Sequence, residues 1–473
     1  MIEFKNNYYS LSDKFYRSAI PEKIENPKLI YFNDELAKDL KIDLHKTDQN
    51  KLTKIFSGNL VDENCPPISL AYAGHQFGHF VPQLGDGRAH LLGQLNGYDV
   101  QLKGSGKTFF SRRGDGKSAL GPVLRETVLS EAMHTLGIPT TRALCAIETN
   151  ENIYRQFGME PGGIFTRVSR SHLRVGTFQY FAARKDKESL SELLKFSCQI
   201  HYPKLLDIDD ESTRSLEFLK EVARKQASLI ANWSRVGFIH GVMNTDNYSI
   251  GGHTIDYGPC AFIDNFEFEK TFSSIDANGR YSYFNQVPIG QWNLLRLADT
   301  LIPLIDKNDQ TAIKKVETIL PEIMSLFPKL RFIELSKKIG INDYNDKDEP
   351  IILEFLKILE EFKLDFTNSF INIDELYNEE FHFFPNNQKV QDFIIIWKNR
   401  IPQLKIESNV NPILIPRNHL IEKMIDMAYG SDYSMFNKMM EAYKTPYEDD
   451  KRYQELQLAP KANEVIKETF CGT

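Results

Sequence analysis

The chain has 473 residues, with 57 Lys and Arg against 64 Asp and Glu, a formal net charge of −7. That balance excludes a protein whose affinity rests on neutralising phosphates along a nucleic acid, while leaving room for a local basic pocket that takes one nucleotide. Hydrophobic residues at 41% and charged residues at 26% are ordinary globular usage, which excludes global disorder.

The length suits about three domain-sized units, or one two-lobed catalytic unit with extensions. The longest apolar runs are short, such as Phe393 to Trp397. A spanning helix needs about 20 apolar residues, so no membrane span is expected. The opening MIEFKNNYYSLSDKFY lacks the charged and apolar regions of a signal peptide. Five cysteines, at 65, 145, 198, 260 and 471, form no C-x-x-C pair. Their odd number and wide spacing favour a reducing, cytoplasmic setting over a disulfide framework or structural zinc. A monomer is expected.

Residues 71–185 are rich in Gly, Arg and short β-like runs. His75 and His79 have a metal-like spacing. No carboxylate or Cys accompanies them, and GHQFGHF carries two glycines, so structural histidines are expected. HFVPQLGDGRAHLLGQL (79–95) reads as two short strands about a Gly85-Asp86-Gly87 turn, where glycine permits a tight turn and close approach of a ligand. YDVQLKG (98–104) alternates. Tyr98, Val100 and Leu102 share one face, and Asp99, Gln101 and Lys103 share the other.

Gly104-Ser105-Gly106-Lys107-Thr108 imitates the end of a P-loop. The first glycine of that motif would fall on Gln101, and FFSRRGDGK (109–117) reads as loop rather than helix. A basic, Gly-rich loop near phosphates remains, because backbone N–H groups with Lys or Arg suit anions. LGPVLRETVLSEAMHTLGIPT (120–140) reads as a helix. Its apolar stripe is Leu124, Val128, Leu129, Met133 and Leu136, Gly137 is a C-terminal cap, and Pro139 prevents continuation. Glu126 falls at the border of that stripe, placed to point into a cleft.

TRVSRSHLR (166–174) supplies several cations. From the residues alone, Arg167 and Arg174 read equally as surface charge or as pocket lining. Residues 186–240 read as helix, 240–264 as a compact polar stretch, and about 288–440 as mostly helical. KTPYEDDKRYQE (444–455) reads as an exposed connection before a short tail. The order is a sheet-rich half followed by a helical half, an α+β fold.

A Gly turn, a strand Lys and a helix Glu follow one another as Gly85 and Gly87, Lys103, then Glu126. Protein kinases use that order, because a triphosphate needs a cation held in place and a carboxylate keeps the Lys charged and oriented. Residues 240–247 read HGVMNTDN, with His240 and Asn247 at the separation of the kinase catalytic loop. Asp256-Tyr257-Gly258 follows a hairpin turn expected at Gly251-Gly252 and takes the place of D-F-G. Asn247 and Asp256 offer the oxygen ligands that Mg²⁺ or Mn²⁺ prefers. The kinase base position falls on Val242, which accepts no proton. The nearby substitute is Asp246.

These segments resemble the selenoprotein O (SelO) family, protein adenylyltransferases on a protein-kinase-like fold once classed as pseudokinases. The resemblance covers nearly the whole chain. Its longest stretches are DKFYRSAIPEKIENPKLIYFND (13–34), AYAGHQFGHFVPQLGDGRAHLLG (71–93), VQLKGSGKTFFSRRGDG (100–116), LRETVLSEAMHTLGIPTTRAL (124–144), HGVMNTDNYSI (240–250), TIDYGPCAFID (254–264) and GRYSYFNQVPIGQWNLLRLA (279–298).

The resemblance implies a bilobal kinase-like fold, with an N-terminal extension and sheet lobe over 1–185 and a helical lobe with its extension over 186–473. It implies that ATP binds flipped relative to kinases. AMP, or UMP from UTP, then passes to a Ser, Thr or Tyr hydroxyl of a protein, and pyrophosphate leaves. By motif, Gly85, Gly87 and Arg88 line the nucleotide. Lys103, Asp115, Gly116, Arg167 and Arg174 line the phosphate pocket, and Glu126 supports Lys103. Asp246 is the proton acceptor, and Asn247 and Asp256 bind Mg²⁺ or Mn²⁺. Two readings stay open beside it, a conventional γ-phosphoryl kinase and a non-catalytic nucleotide-binding scaffold. Relatives carry selenocysteine or Cys near the C-terminus, where Cys471 stands. In some of them it pairs with a Cys in the loop after the metal Asp, and here that place falls on Phe272. A redox bridge by that route is not expected.

Overall fold

A computed structural model of the chain describes residues 2–155 and 158–470. Cys471 lies outside them. An eight-stranded antiparallel sheet dominates the first 170 residues. Its strands are β1 (Tyr16–Ser18), β2 (Lys28–Phe32), β3 (Ile68–Leu70), β6 (Ala89–Leu95), β7 (Tyr98–Lys103), β8 (Ser118–Ala119), β9 (Arg142–Arg155) and β10 (Gly158–Ser169), in the order β1-β3-β6-β7-β10-β9-β2 with β8 on β10. A separate two-stranded ribbon joins β4 (Gly74–Gln76) to β5 (His79–Val81). Short helices α1 (Asp34–Asp39) and α2 (Gln49–Phe56) cover one side of the sheet, and α3 (Leu120–Thr135) packs on β9 and β10.

After the sheet the chain is helical: α4 (Val175–Ala182), α5 (Lys187–His201), α6 (Glu211–Val236), α7 (Gln286–Ile305), α8 (Asp309–Lys338), α9 (Glu349–Glu361), α10 (Phe366–Ile371), α11 (Ile373–Tyr377), α12 (Gln388–Arg400), α13 (Asn418–Tyr429) and α14 (Ser434–Ala442). A small ribbon of β11 (Phe238–Ile239) and β12 (Ala261–Phe262) brackets the polar stretch after α6. The fold is α+β with an antiparallel sheet. Among the described residues no helix is long and apolar enough to cross a membrane.

Local signals set the long elements. The Asp210 carboxylate accepts from the Thr213 N–H at the start of α6, and Gly237, at φ +71°, ends it. Helix α6 then packs on α7 and α8 through Phe218, Val222 and Ile230 in the largest apolar core. Burying one such side chain contributes about 1.5–3 kcal/mol.

Four expectations change. The strands flanking Gly85-Asp86-Gly87 do not pair with each other. β5 folds back on β4, while β6 joins the main sheet between β3 and β7. The intervening backbone pairs with residues 70–72 instead, with Leu84 N–H donating to Tyr72 O and Asp86 N–H to Leu70 O, both at 2.9 Å. Likewise, Gly251-Gly252 is a turn, but its arms pair elsewhere, Ser249 with Arg174 and Thr254 with Thr140. The α3 stripe is two faces. Leu129, Met133 and Leu136 meet the large core, whereas Leu124 and Val128 meet Ile421 and Met424 of α13. Finally, the 444–455 connection is not wholly exposed, because Tyr453, with the neighbouring Leu456, is buried in that same α3–α13 cluster.

Four cysteines, at 65, 145, 198 and 260, are buried and free. Phe272 is buried, and its carbonyl accepts from the Thr469 backbone N–H at 2.6 Å.

Candidate active site

Strand β7 is buried on both faces. Val100 and Leu102 enter the apolar core, and the opposite face carries a row of buried polar groups. Gln101 donates to Asp86 Oδ2 at 2.8 Å and accepts from Arg167 Nε at 2.8 Å. Lys103 Nζ donates to Glu126 Oε1 at 2.6 Å and to Asp256 Oδ1 at 2.8 Å. The alternation in the sequence thus delivers Lys103 to a carboxylate on α3 and to another after the polar stretch. Glu126 Oε1 also accepts the Tyr257 N–H at 3.2 Å, which ties α3 to the DYG triplet.

A cavity of about 670 Å³ opens in front of this row. Its wall brings together Gly85, Gly87, Arg88, Lys103, Asp115, Gly116, Arg167, Arg174, Asp246, Asn247 and Asp256. Glu126 stands behind Lys103, in the wall of a smaller neighbouring cavity of about 340 Å³. Gly85 has φ +75°, and a Cβ there would overlap the Phe110 ring, so only glycine fits the turn. The 107–117 segment is a loop over the cavity, with Ser105 bridged to Lys117, and the P-loop imitation forms no phosphate-binding helix. At its rim Asp115 is gripped by Arg155 at 2.8 and 3.2 Å.

Arg167 and Arg174 are pocket residues, at 5% and 4% exposure, and the surface reading fails. Arg174 lies 4.2 Å over the Tyr72 ring and donates to His172 O at 3.1 Å and to Asp246 O at 3.0 Å. Its Nη2 has no hydrogen-bond partner among the described residues and faces Asp86 Oδ1 at 3.9 Å. A buried guanidinium with an open donor is suited to an anion.

Asp246 is 8% exposed. Gln76 Nε2 donates weakly to its Oδ2 at 3.4 Å, and Oδ1 has no partner among the described residues. Burial pushes its carboxyl up to about 6, against the pull of its own backbone N–H and Arg174. The β4–β5 ribbon shapes this corner. His75 N–H donates to Thr245 Oγ1 at 2.6 Å and Phe77 N–H to Asn244 Oδ1 at 3.0 Å. A Cβ on Gly74 would stand 2.5 Å from Asp246 Oδ1, so glycine makes room for the carboxylate. Among the described residues His75 and His79 belong to no group of three or more His, Cys, Asp or Glu side chains. They sit in paired strands, and His75 Nδ1 bonds Gln179 at 2.8 Å.

Asp256 has φ +68°, a costly conformation that aims its carboxylate at Lys103. Burial alone would raise its pKa, but Lys103, Arg88 and Arg167 outweigh burial and hold it well below the carboxylate range. Asn247 Nδ2 donates to Val242 O at 3.1 Å, and its amide oxygen has no hydrogen bond among the described residues. Val242 is buried and carries no proton acceptor.

Sequence reasoning missed Asp86, Tyr72 and Gln76. Asp86 hid inside the glycine turn, although a carboxylate between two glycines beside a Gln101–Lys103 face was a usable signal. Tyr72 and Gln76 carry no local signal, since their roles depend on Arg174 and Asp246, over 100 residues away.

The family model described as protein adenylyltransferase SelO matches residues 1–444. Three curated relatives, all named protein nucleotidyltransferase YdiU, align over essentially the full length. The Agrobacterium fabrum protein is 43% identical, covering 100% of both chains. The Rhizobium rhizogenes protein is 45% identical over 100% of this chain and 97% of its own. The Nitrosococcus oceani protein is 41% identical over 99% and 97%. The buried Lys103–Glu126 pair and a cavity lined by Arg88, Arg167 and Arg174 accompany that match, and the chain belongs to the SelO family of protein nucleotidyltransferases.

Proposed function

We propose that the chain transfers AMP from ATP, or UMP from UTP, to Ser, Thr or Tyr hydroxyls of proteins and releases pyrophosphate. The reading places the nucleotide across a bilobal kinase-like unit, with residues 1–185 as the extension and sheet lobe and 186–473 as the helical lobe. Support comes from the one cavity that gathers Lys103, Arg167, Arg174, Asp246, Asn247 and Asp256.

The observation that carries the reading is Asp246. Its carboxyl is poised near neutral pH, one oxygen is open, and it shares the cavity with the arginines. A general base works best with its pKa close to the operating pH. The acceptor hydroxyl gives its proton to Asp246 while its oxygen attacks the α-phosphorus. The bond from that phosphorus to the bridging oxygen breaks, and the electron pair leaves on pyrophosphate. Arg167, Arg174 and Lys103 take up the charge that develops on the phosphate oxygens. Gly85, Gly87 and Arg88 hold the nucleotide, and Asp115 and Gly116 form the far wall.

Asn247 and Asp256 fit Mg²⁺ or Mn²⁺. One offers a free amide oxygen and the other a carboxylate kept ionised, and hard cations take few protein oxygens when phosphates and water complete their shell. When bound, the ion neutralises phosphate charge and orients the reacting group.

The Lys103–Glu126–Asp256 arrangement also suits a kinase moving the γ-phosphate. Paired labelling with α- and γ-labelled ATP, in Mg²⁺ and in Mn²⁺, separates the two. Protein-bound α-label without γ-label is expected, and γ-label alone would reverse the orientation. No label under either ion, with nucleotide still bound, would leave a scaffold.

A further inference from the structure

A second large cavity, about 820 Å³, lies away from the nucleotide pocket and shares no lining residue with it. It forms where the end of β10, the end of α5, the middle of α6 and the Gly251-Gly252 turn meet. The chain as a whole is acidic, yet the charged groups facing this cavity are Arg142, Arg170 and Lys225 against Asp39 alone, among the described residues. Arg142 is already gripped by Glu131 at 2.9 and 2.7 Å. Arg170 and Lys225 have no carboxylate within ion-pair distance among the described residues. Each rests on an aromatic ring instead, Arg170 at 5.0 Å from Tyr98 and Lys225 at 4.4 Å from Tyr202. A ring supports a cation without pairing its charge, and burial lowers the pKa of the Lys225 ammonium.

Two imidazoles complete the wall. His201 Nε2 bonds Ser171 Oγ at 2.7 Å, while both nitrogens of His253 are taken, Nε2 by Ser169 Oγ at 2.9 Å and Nδ1 by Ser249 Oγ at 3.1 Å. Burial, with the neighbouring cations, pushes both down to about 3, so each is neutral at pH 7. A Cβ on Gly251 would stand 2.6 Å from His201 Cε1 and 2.9 Å from His253 Nδ1, so glycine leaves room for both rings.

We propose that this cavity binds a small phosphoryl anion, held between Arg170 and Lys225 with the His201 imidazole as a hydrogen-bonding partner. The donors come from separate elements, Arg170 just after β10, His201 at the end of α5 and Lys225 within α6. A tetrahedral phosphoryl group uses such a set, whereas a planar carboxylate is best served by one bidentate partner.

The test is calorimetric titration of the full chain with pyrophosphate in metal-free buffer, with acetate at matched ionic strength as the second arm. The wild type is expected to bind in two classes, one in each cavity. Arg170→Met and Lys225→Met should each weaken one class by about tenfold or more, the scale of one charge-assisted contact. Lys103→Met should weaken only the other class. Gly251→Ala, which crowds the imidazoles without removing a charge, should weaken the same class as Arg170→Met. Arg170 is exposed, so its replacement leaves the fold intact. Superimposable isotherms for wild type and both cation variants would overturn the proposal, as would an acetate response equal to that of pyrophosphate.

Discussion

Two clusters of buried charge stand at opposite ends of this molecule's polar accounting. In one, Arg417 is 1% exposed and fully used. It donates to Asp264 at 2.7 Å, to Asp365 at 2.8 and 3.1 Å, to Asn368 at 3.3 Å and to Gln457 O at 3.1 Å. In the other, Lys103, Asp256, Arg174 and Asp246 line a cavity with Glu126 behind Lys103, and Asp246 Oδ1 and Arg174 Nη2 are left open. Both clusters join distant segments. The closed one spends every donor on structure. The open one holds back hydrogen-bonding capacity that a ligand can take up, and an unpaired buried group is costly enough that a fold keeps it for a reason.

The sharpest break between the two comes from Asp246→Asn. With Asp246 as the proposed base, its loss should lower the transfer rate by about 10²–10⁴-fold with nucleotide affinity little changed, measured as kcat against Kd. The same variant should unfold at an equal or higher denaturant concentration, since a poorly partnered buried carboxyl is removed. Arg417→Met should do the opposite. It should cost about 3–5 kcal/mol in denaturant unfolding, because Asp264 and Asp365 are left buried and unpaired. The KM of its folded fraction should stay at the wild-type value. If Asp246→Asn destabilises as much as Arg417→Met, the distinction fails.

Smaller effects sharpen the comparison inside the open cluster. Glu126→Gln keeps a hydrogen-bonding oxygen but removes the charge that holds Lys103, and kcat/KM should fall by about tenfold, one charge-assisted contact. The pH profile gives the finest test. Asp246 accepts a proton only when ionised, and its pKa is raised to about 6. The rate should therefore rise with pH through about 6 and be lost below it. Gln76→Leu removes a donor to the ionised carboxylate, so the midpoint should move upward. A midpoint that does not respond to Gln76 would separate that residue from the base.

Much of the site was legible because its parts are short and local. The alternation of Tyr98–Lys103 placed Lys103 beside Gln101, and the 3.6-residue period of Leu120–Thr135 put Glu126 at the edge of an apolar face. The spacing from His240 to Asn247 and the DYG triplet needed no partner to be read. Illegible parts depend on contacts between remote segments. Nothing near residue 79 says that β5 will turn back on β4 rather than pair with β6, because strand pairing is a choice among competing edges.

The sequence by itself determined the α+β order, the elements that carry Lys103, Glu126, Asn247 and Asp256, and the absence of a base at Val242. Those follow from side-chain period and turn chemistry, which act over a few residues. Only the tertiary structure decided that Arg174 lies on Tyr72 and reaches the Asp246 backbone, that Asp86 anchors the polar row, and that Arg170 and Lys225 face one cavity with aromatic rings rather than carboxylates as their neighbours. Burial and electrostatic environment are set by whichever segments pack together, and no local pattern encodes a neighbour that arrives from 70 or 170 residues away.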